Sequence, residues 1–219
     1  MARGGAGKAL VIVFATLVVL GVAVDIVARL VVEGSLAERL RNELRLDEPP
    51  DVSLKGFPFL LHLARQRFPA ATVDARNVDE AEVRVRRLLL EVEDLRFHGG
   101  GGVVRAERGS AELEIDEEAL TELARREGLP GRVELLGPEV RITLEEGVEA
   151  SVTGTLALED GEVVFEPEQA EPVDPPVPLT LRFPLPQIVE GIAFREVEVR
   201  EGVAVIRAAL DASILRVRV

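Results

Sequence analysis

The sequence predicts an α+β protein in which an apolar amino-terminal helix precedes a long antiparallel β-sheet. Sixteen residues from Ala9 to Val24 carry no charge, as in an export signal or a membrane-spanning helix. From Thr72 onward, apolar and polar residues alternate through several long runs, which is the pattern of strands with one buried and one wet face. We expect the sheet to be long and curved and to wrap the helices.

The segment before the uncharged run carries Arg3 and Lys8 and no acidic residue. A cationic flank followed by an apolar run is typical of a signal peptide or a signal anchor, and the charge bias holds the amino terminus in the cytoplasm. As a helix, the run covers about 24 Å, slightly less than a hydrocarbon core of about 30 Å. We therefore expect residues 1–24 to be a signal peptide or a signal anchor, followed by a single domain over residues 25–219.

The two interpretations of this leader give two locations for the domain. An uncleaved leader makes a single-pass protein of the cell membrane with an exported carboxy-terminal domain. Cleavage after Ala23 is the alternative, and it releases the domain into the cell envelope.

Composition excludes several classes of function. The chain has 219 residues and a formal net charge of −13, which argues against nucleic-acid binding because phosphates require a clustered cationic surface. The absence of cysteine excludes disulfides, thiol catalysis and zinc sites built on thiolates.

The segment from Val52 to Phe68 organises the rest of the chain. It begins like a strand, breaks at Gly56 and Pro58, and continues as an almost unbroken apolar surface that suits a short helix laid against a sheet. One interpretation is a plug in the core beneath the sheet. The other is the wall or mouth of an apolar ligand site.

Two further helices are expected. Ser35 and Glu38 have the spacing of a capping box, which predicts that a helix restarts there and stops before Pro49. Asp116 is a suitable cap for a helix over residues 117–127, which Gly128 would end.

The strands follow from alternation and turn signals. Asp160-Gly161 and Glu201-Gly202 predict hairpin turns, and the prolines within residues 179–186 confine that strand to a sheet edge. The other strands are expected at residues 72–78, 83–86, 88–97, 103–115, 132–136, 139–145, 148–158, 162–166, 194–200 and 203–210.

A catalytic constellation is not apparent in the sequence. The histidines are His62, which lies among leucines, and His98, which precedes four glycines without an accompanying G-x-S-x-G motif. The carboxylates of residues 91–94 and 112–116 alternate with apolar residues, which indicates a solvated strand face. We expect no enzymatic activity, no metal and no cofactor. A structural or partner-binding envelope module and a glycan hydrolase are the alternative functions.

A sheet of long Val- and Leu-rich strands has more apolar face than the expected helices can cover. Either a second sheet or a bound acyl chain must cover the remainder. A 16-carbon chain would gain on the order of 10 kcal/mol on burial, before ordering costs, without any catalytic group.

Several segments after the leader form a recognisable set. They are Asp25 and Ala28, the segment Val52 to Leu60, the stretch Leu179 to Pro186, Gly191 and the hairpin Val197 to Ala209. In these segments the chain resembles the LmeA-type family of actinobacterial phospholipid-binding proteins of the cell envelope. The likeness covers nearly all of the chain after the leader.

This resemblance implies phospholipid binding, a role in lipid or lipoglycan transport and maintenance, and a fold akin to the elongated tubular lipid-binding modules. The implied partners are phospholipid, the membrane through the amino-terminal helix, and the enzymes of envelope glycolipid synthesis.

The candidate lipid site follows from apolar clustering beside isolated positive charge. We expect the groove wall or mouth to be formed by Phe57, Phe59, Leu60, Leu61 and Phe68. The cations nearest that wall, which we expect to contact the lipid headgroup, are Lys55, Arg65 and Arg67.

Overall fold

The structure is a computed structural model that describes residues 5–80, 83–98, 103–126, 128–129, 131–144, 151–170, 181–185 and 192–211. Three helices and twelve strands lie in these ranges, and they confirm the predicted α+β class. The helices are α1 (Gly5–Glu43), α2 (Phe59–Ala64) and α3 (Glu117–Arg126). The strands are β1 (Asp51–Lys55), β2 (Arg67–Glu80), β3 (Val83–His98), β4 (Val103–Arg105), β5 (Arg108–Asp116), β6 (Gly131–Leu136), β7 (Glu139–Leu144), β8 (Ser151–Glu159), β9 (Glu162–Ala170), β10 (Leu181–Pro184), β11 (Ile192–Arg200) and β12 (Val203–Asp211).

The strands form two antiparallel sheets. The large sheet has the order β1-β2-β3-β5-β12-β11, with β4 paired to β3. The small sheet has the order β10-β9-β8-β7-β6, so the strand with the prolines lies at a sheet edge as predicted. The prolines within residues 168–178 predict an extended connector there, but residues 168–170 continue β9. The remaining residues 171–178 and the tail after residue 211 lie outside the described residues.

Helix α1 is continuous where the sequence predicts a restart at Ser35. The Ser35 hydroxyl donates to the carbonyl of Val31 at 2.8 Å, one turn earlier, so it is satisfied within the helix instead of capping a new one. The result is one 39-residue helix, about 58 Å long at 1.5 Å per residue.

Strands β2 and β3 form the backbone of the large sheet, in a constant register from Arg67↔Arg96 to Glu80↔Val83. The expected break between residues 86 and 88 is absent, and β3 runs through 16 residues. Asn77 and Asp94 have positive φ angles of 51° and 53°. Apolar residues that lie three apart along a strand, such as Ala75 and Val78, are therefore buried in the same core.

Two hydrophobic clusters cover the apolar face of the large sheet. One, which we call the far core, joins the sheet to α3 and the small sheet and includes Leu113, Leu120 and Phe165. The other, the near core, joins the sheet to α1 and α2 and includes Phe59 and Phe68. Helices α2 and α3 therefore pack at opposite ends of one sheet, and the residues directly after α1, Leu44 and Leu46, reach the far core.

Helix α3 is fixed at both ends, as its sequence predicts. Asp116 accepts a hydrogen bond from the Ala119 N–H at 2.9 Å, and Gly128 follows the last turn with a φ of 87°. Glu117 accepts the N–H of Leu135 at 2.7 Å and Thr121 that of Val133 at 3.0 Å, which ties the helix to β6.

Turns also match their sequence signals. Asp160 and Gly161, with φ angles of 50° and 84°, connect β8 and β9 in a hairpin. Gly202 turns between β11 and β12, and its N–H donates to the carbonyl of Leu135 at 3.0 Å. This bond links the two sheets at the far end of the molecule.

The outer face of the large sheet is polar and rich in ion pairs. Arg87 lies 2.7 Å from Asp74, and Arg207 lies within 3.3 Å of Glu112, Glu196 and Glu198. These pairs lie across neighbouring strands, so carboxylates that the sequence places on a solvated face are matched by arginines.

We predict that Leu113→Ala destabilises the fold by about 2–5 kcal/mol, because Leu113 is fully buried in a central strand and its truncation leaves a cavity. Chemical unfolding of the detergent-solubilised chain measures the loss. Leu136→Ala, at an exposed leucine of β6, is the matched control and should change the free energy of unfolding by less than about 0.5 kcal/mol. Equal losses in the two variants would contradict the position of the far core.

Candidate functional site at the near end of the sheet

Helix α1 has an exposed apolar half and a half that packs on the domain. Between Ile12 and Val24 most large apolar side chains are exposed. The described part of α1 contains a segment with a mean hydropathy of 2.3, long and apolar enough to cross a membrane. The uncharged part of the helix, from Ala9 to Val24, spans about 24 Å, slightly less than the hydrocarbon core of a bilayer, which is about 30 Å thick.

Asp25 joins this helix to α2. Its side chain is 6% exposed, and its two carboxylate oxygens accept the N–H groups of Phe59 and Leu60, each at 2.8 Å. These are the first two residues of α2, which begins after Pro58 and has no side-chain cap of its own. A carboxylate 34 residues earlier therefore caps α2, and it satisfies amides that would otherwise lack a partner.

A second joint lies two turns further along α1. Glu33 accepts the N–H of Leu54 at 2.7 Å and pairs with Arg29 at 2.9 Å, and Arg29 donates to the Ser53 hydroxyl at 3.2 Å. Strand β1 is the edge of the large sheet, so these polar side chains cover part of an open edge. Together the two joints fix α1 to both β1 and α2.

Gly56 and His62 define the turn that precedes α2. Gly56 has a φ of 132°, and a Cβ atom there would lie 2.7 Å from His62 Cδ2. The other side of the ring lies close to β2, with His62 Nδ1 3.0 Å from the carbonyl oxygen of Arg67. His62 therefore packs within the turn, and the Phe57–Pro58 peptide bond that follows Gly56 is cis.

The residues of the predicted site divide between two environments. Phe59 and Phe68 are 1% exposed and lie in the near core, with ring centroids 5.4 Å apart. Phe57 is 70% exposed, and Leu60, Leu61 and Leu63 are exposed beside it. We call these four exposed residues the apolar ridge. Helix α2 thus buries one aromatic residue and turns its other apolar side chains outward.

The three predicted headgroup cations also differ from one another. Arg67 makes a bidentate pair with Asp94, at 2.7 and 2.8 Å. Lys55 and Arg65 are exposed, and neither makes an ion pair with any described residue. Arg65, Arg67 and His62 line an open cavity of about 540 Å³ beside the ridge, together with acidic residues that include Asp94.

The Arg67–Asp94 pair shifts the pKa values of both groups. The hydrogen bond from Arg67 lowers the pKa of Asp94 to about 2, with a smaller contribution from Arg96. The same hydrogen bond raises the pKa of Arg67. Arg67 is therefore held by a carboxylate, whereas Arg65 has its guanidinium available to a ligand.

Cavities between the two sheets are small where described residues line them. Two apolar cavities, both in contact with Leu120 and Leu156, have volumes of about 10 Å³ each. This volume holds at most about one water molecule. Around them, Leu156, Leu158 and Val197 are only partly buried.

The fold and the site define a class: an α+β protein with an exposed apolar amino-terminal helix, an apolar ridge beside that helix, and no His, Asp or Glu cluster that could hold a metal within the described ranges. The chain belongs to the LmeA-like phospholipid-binding family, whose sequence profile matches residues 23–217. The match includes Asp25 and both sheets, and membership of this family points to lipid binding rather than catalysis. No curated protein and no solved structure matches the chain significantly.

We predict that Asp25→Ala weakens the attachment of α2 to α1, because two amides lose their acceptor. The expected loss is about 1–3 kcal/mol in unfolding free energy, with faster proteolysis within residues 56–64. Asp25→Asn retains one acceptor oxygen and should lie between the unmodified chain and Asp25→Ala. Asp47→Ala, at an exposed aspartate, is the control. If Asp25→Ala and Asp47→Ala behave alike, the joint does not hold α2.

We also predict an acid-sensitive contribution from Asp94. Because its folded-state pKa lies below its ordinary value, the pair with Arg67 stabilises the fold above about pH 4, and this stability is lost as the pH falls towards about 2. Unfolding of the unmodified chain and of Asp94→Asn, followed from pH 6 to pH 2, measures the difference. The two curves should converge at the acid end. Parallel curves over the whole range would show that the pair makes no such contribution.

Proposed function

We propose that this protein is a phospholipid-binding protein of the cell envelope, anchored to the cell membrane by α1, with its carboxy-terminal domain exported. It binds lipid without catalysis, and it supports the transport or maintenance of lipids or lipoglycans. Residues 1–24 form the signal anchor and residues 25–219 a single domain. Family membership supports the lipid-binding part of this proposal.

The acyl chain lies in an apolar groove on the inner face of the large sheet, between the near core and the far core. The observation that carries this location is that Leu90 and Ile192 contact both cores and yet remain only partly buried. Leu90 lies on the central strand β3. Val73, the residue opposite it on the neighbouring strand β2, is also partly buried. The helices thus cover the two ends of the apolar face more completely than its middle.

An acyl chain has a strong reason to occupy such a position. Each CH₂ group that leaves water contributes about 0.8 kcal/mol, and the partly buried side chains of the sheet gain contacts as well. A groove of this kind needs no charged residue on its floor, and none of the residues that define it, Val73, Leu90, Ile192 and Phe194, is polar.

The near core then forms the membrane-side wall of the groove. Phe59 and Phe68 pack side by side there, and the T-shaped contact of Phe68 with Phe97, at 5.9 Å, extends the wall along β3. Phe57, Leu60 and Leu61 lie at the mouth. A lipid whose tails occupy the groove has its headgroup near Lys55 and Arg65. Arg67 is the third cation beside the headgroup, and Asp94 holds its guanidinium in position.

The partners of this function are phospholipid and the membrane itself. The enzymes of envelope glycolipid synthesis are the protein partners that would receive lipid from the groove. Helix α1 keeps the domain beside the bilayer from which lipid is taken, so no long-range diffusion of the domain is needed.

We predict that a bulky residue at the middle of the sheet displaces lipid. Leu90→Trp and Ile192→Trp should each reduce lipid occupancy about tenfold, equivalent to about 1.4 kcal/mol, because the indole fills space that the acyl chain needs. Native mass spectrometry, after incubation of the full chain with phosphatidylethanolamine and phosphatidylglycerol vesicles, measures the occupancy.

The matched control for this experiment is Val199→Trp. Val199 is partly buried on the same strand as Ile192 but packs against the far core alone. The Val199→Trp substitution should leave lipid occupancy unchanged. The proposal fails if the unmodified chain acquires no lipid, or if all three variants retain lipid equally.

A further inference from the structure

We infer that the apolar ridge of Phe57, Leu60, Leu61 and Leu63 is a membrane-docking surface, inserted among the phospholipids of the same bilayer that α1 crosses. The occupant of this surface is the bilayer leaflet itself. The inference rests on the proposed anchoring by α1. It concerns the outward surface of the ridge, three of whose residues also lie at the proposed groove mouth, and not the interior of the groove.

The depth of the ridge follows from the position of the Asp25 joint. Because Asp25 binds the first two amides of α2, α2 lies beside α1 at the level of residue 25. Exposed apolar side chains on α1 do not end there. They continue for almost two further turns, through Ile26, Val27, Leu30 and Val31. The ridge therefore lies within the apolar band of α1 and not beyond it.

The ridge cannot withdraw from this position by a local rearrangement. Phe59 fixes α2 from the inside, since it is fully buried against Phe68. Asp25 fixes the start of α2, and the packing of His62 on Gly56 fixes the turn before it. With these three contacts in place, Leu60, Leu61 and Phe57 have to face outward.

The charges beside the ridge suit a phospholipid surface. Lys55 precedes the ridge and Arg65 follows it, and neither makes an ion pair with a described residue. Cations that flank inserted apolar residues lie at headgroup level, where they attract lipid phosphates. The acidic residues of the cavity beside the ridge are all paired, Glu93 with Arg108, Asp94 with Arg67 and Glu107 with Arg96. The protein as a whole has a net charge of −13, which an anionic leaflet would repel. The ridge is thus the side of the domain that such a leaflet would accept.

Tryptophan fluorescence tests this inference directly, because the chain contains no tryptophan and no tyrosine. Phe57→Trp and Leu61→Trp each place a single indole on the ridge of the full-length chain. The chain is reconstituted into phosphatidylcholine and phosphatidylglycerol vesicles with increasing amounts of a phosphatidylcholine brominated on its acyl chains. We expect both indoles to emit at shorter wavelength in vesicles than in urea and to lose emission as brominated lipid increases.

Leu136→Trp is the matched control, since Leu136 and Leu61 are both 43% exposed. Leu136 ends β6 next to the turn at Gly202, which is about 26 Å along β12 from the near core at 3.3 Å per residue. Its indole should keep its emission at every content of brominated lipid. Equal quenching at residues 57, 61 and 136, or no quenching at residues 57 and 61, would overturn the inference.

A second measurement separates docking from groove binding. The Phe57→Trp chain is loaded with brominated lipid and then freed of unbound lipid by washing with lipid-free detergent, so that a lipid can occupy the groove but neither the micelle nor a bilayer contains brominated lipid. Docking predicts that the indole is quenched much more strongly in vesicles than in detergent, where only a lipid bound at the groove mouth can contact it. Quenching of equal extent in both would mean that the ridge contacts only the bound lipid, which would leave the groove intact and refute docking. Quenching in vesicles by a chain that acquires no lipid in native mass spectrometry would support docking and refute the groove.

Discussion

The carboxylate of Asp25 is the constraint on which the near end of this protein depends. It lies at the end of the uncharged segment of α1, it is buried, and it binds the two amides that begin α2. A buried carboxylate is costly unless its oxygens are satisfied, and here two backbone N–H groups satisfy them. One side chain therefore sets both the position of α2 beside the helix and the direction in which α2 presents its apolar residues.

The rest of the near end follows from that joint. With α2 in place, Phe59 enters the near core and Phe57 and Leu61 remain outside. The large sheet supplies a single apolar face, and α1 with α2 covers one end of it while α3 and the small sheet cover the other. The same packing thus accounts for the ridge on the outside and for the partly buried residues Leu90 and Ile192 between the two cores.

Much of the fold can be predicted from local sequence. The cap at Asp116, the hairpin at Asp160-Gly161 and the edge position of residues 181–184 all follow from signals that lie within a few residues. The two long strands β2 and β3 could be predicted in part. At Asn77 and Asp94 the alternation of apolar and polar residues is interrupted, and the positive φ angles there keep the apolar residues before and after on the same face of the sheet. The restart expected at Ser35 is wrong because its hydroxyl bonds back to Val31.

The site could be predicted as a segment but not in its orientation. The apolar run after Gly56 indicates that Phe57 and Phe59 matter, yet neighbouring residues of a six-residue helix face different sides, and which side is buried depends on where the helix docks. That docking is set by Asp25, which the sequence shows as a charge at the end of an apolar run and as part of the family resemblance, but without any indication of its partners. Contacts between residues 34 positions apart leave no local pattern in the sequence. The same holds for the pair of Arg67 and Asp94, which are also far apart along the chain.

Amide hydrogen exchange at Phe59 and Leu60, resolved by NMR on the full-length chain in detergent, tests the central claim most directly. Amides at the start of so short a helix would ordinarily exchange rapidly, because they have no partner within the helix. The Asp25 joint predicts that both are strongly protected and that both lose protection together in Asp25→Ala. Rapid exchange of either amide in the unmodified chain would contradict the account.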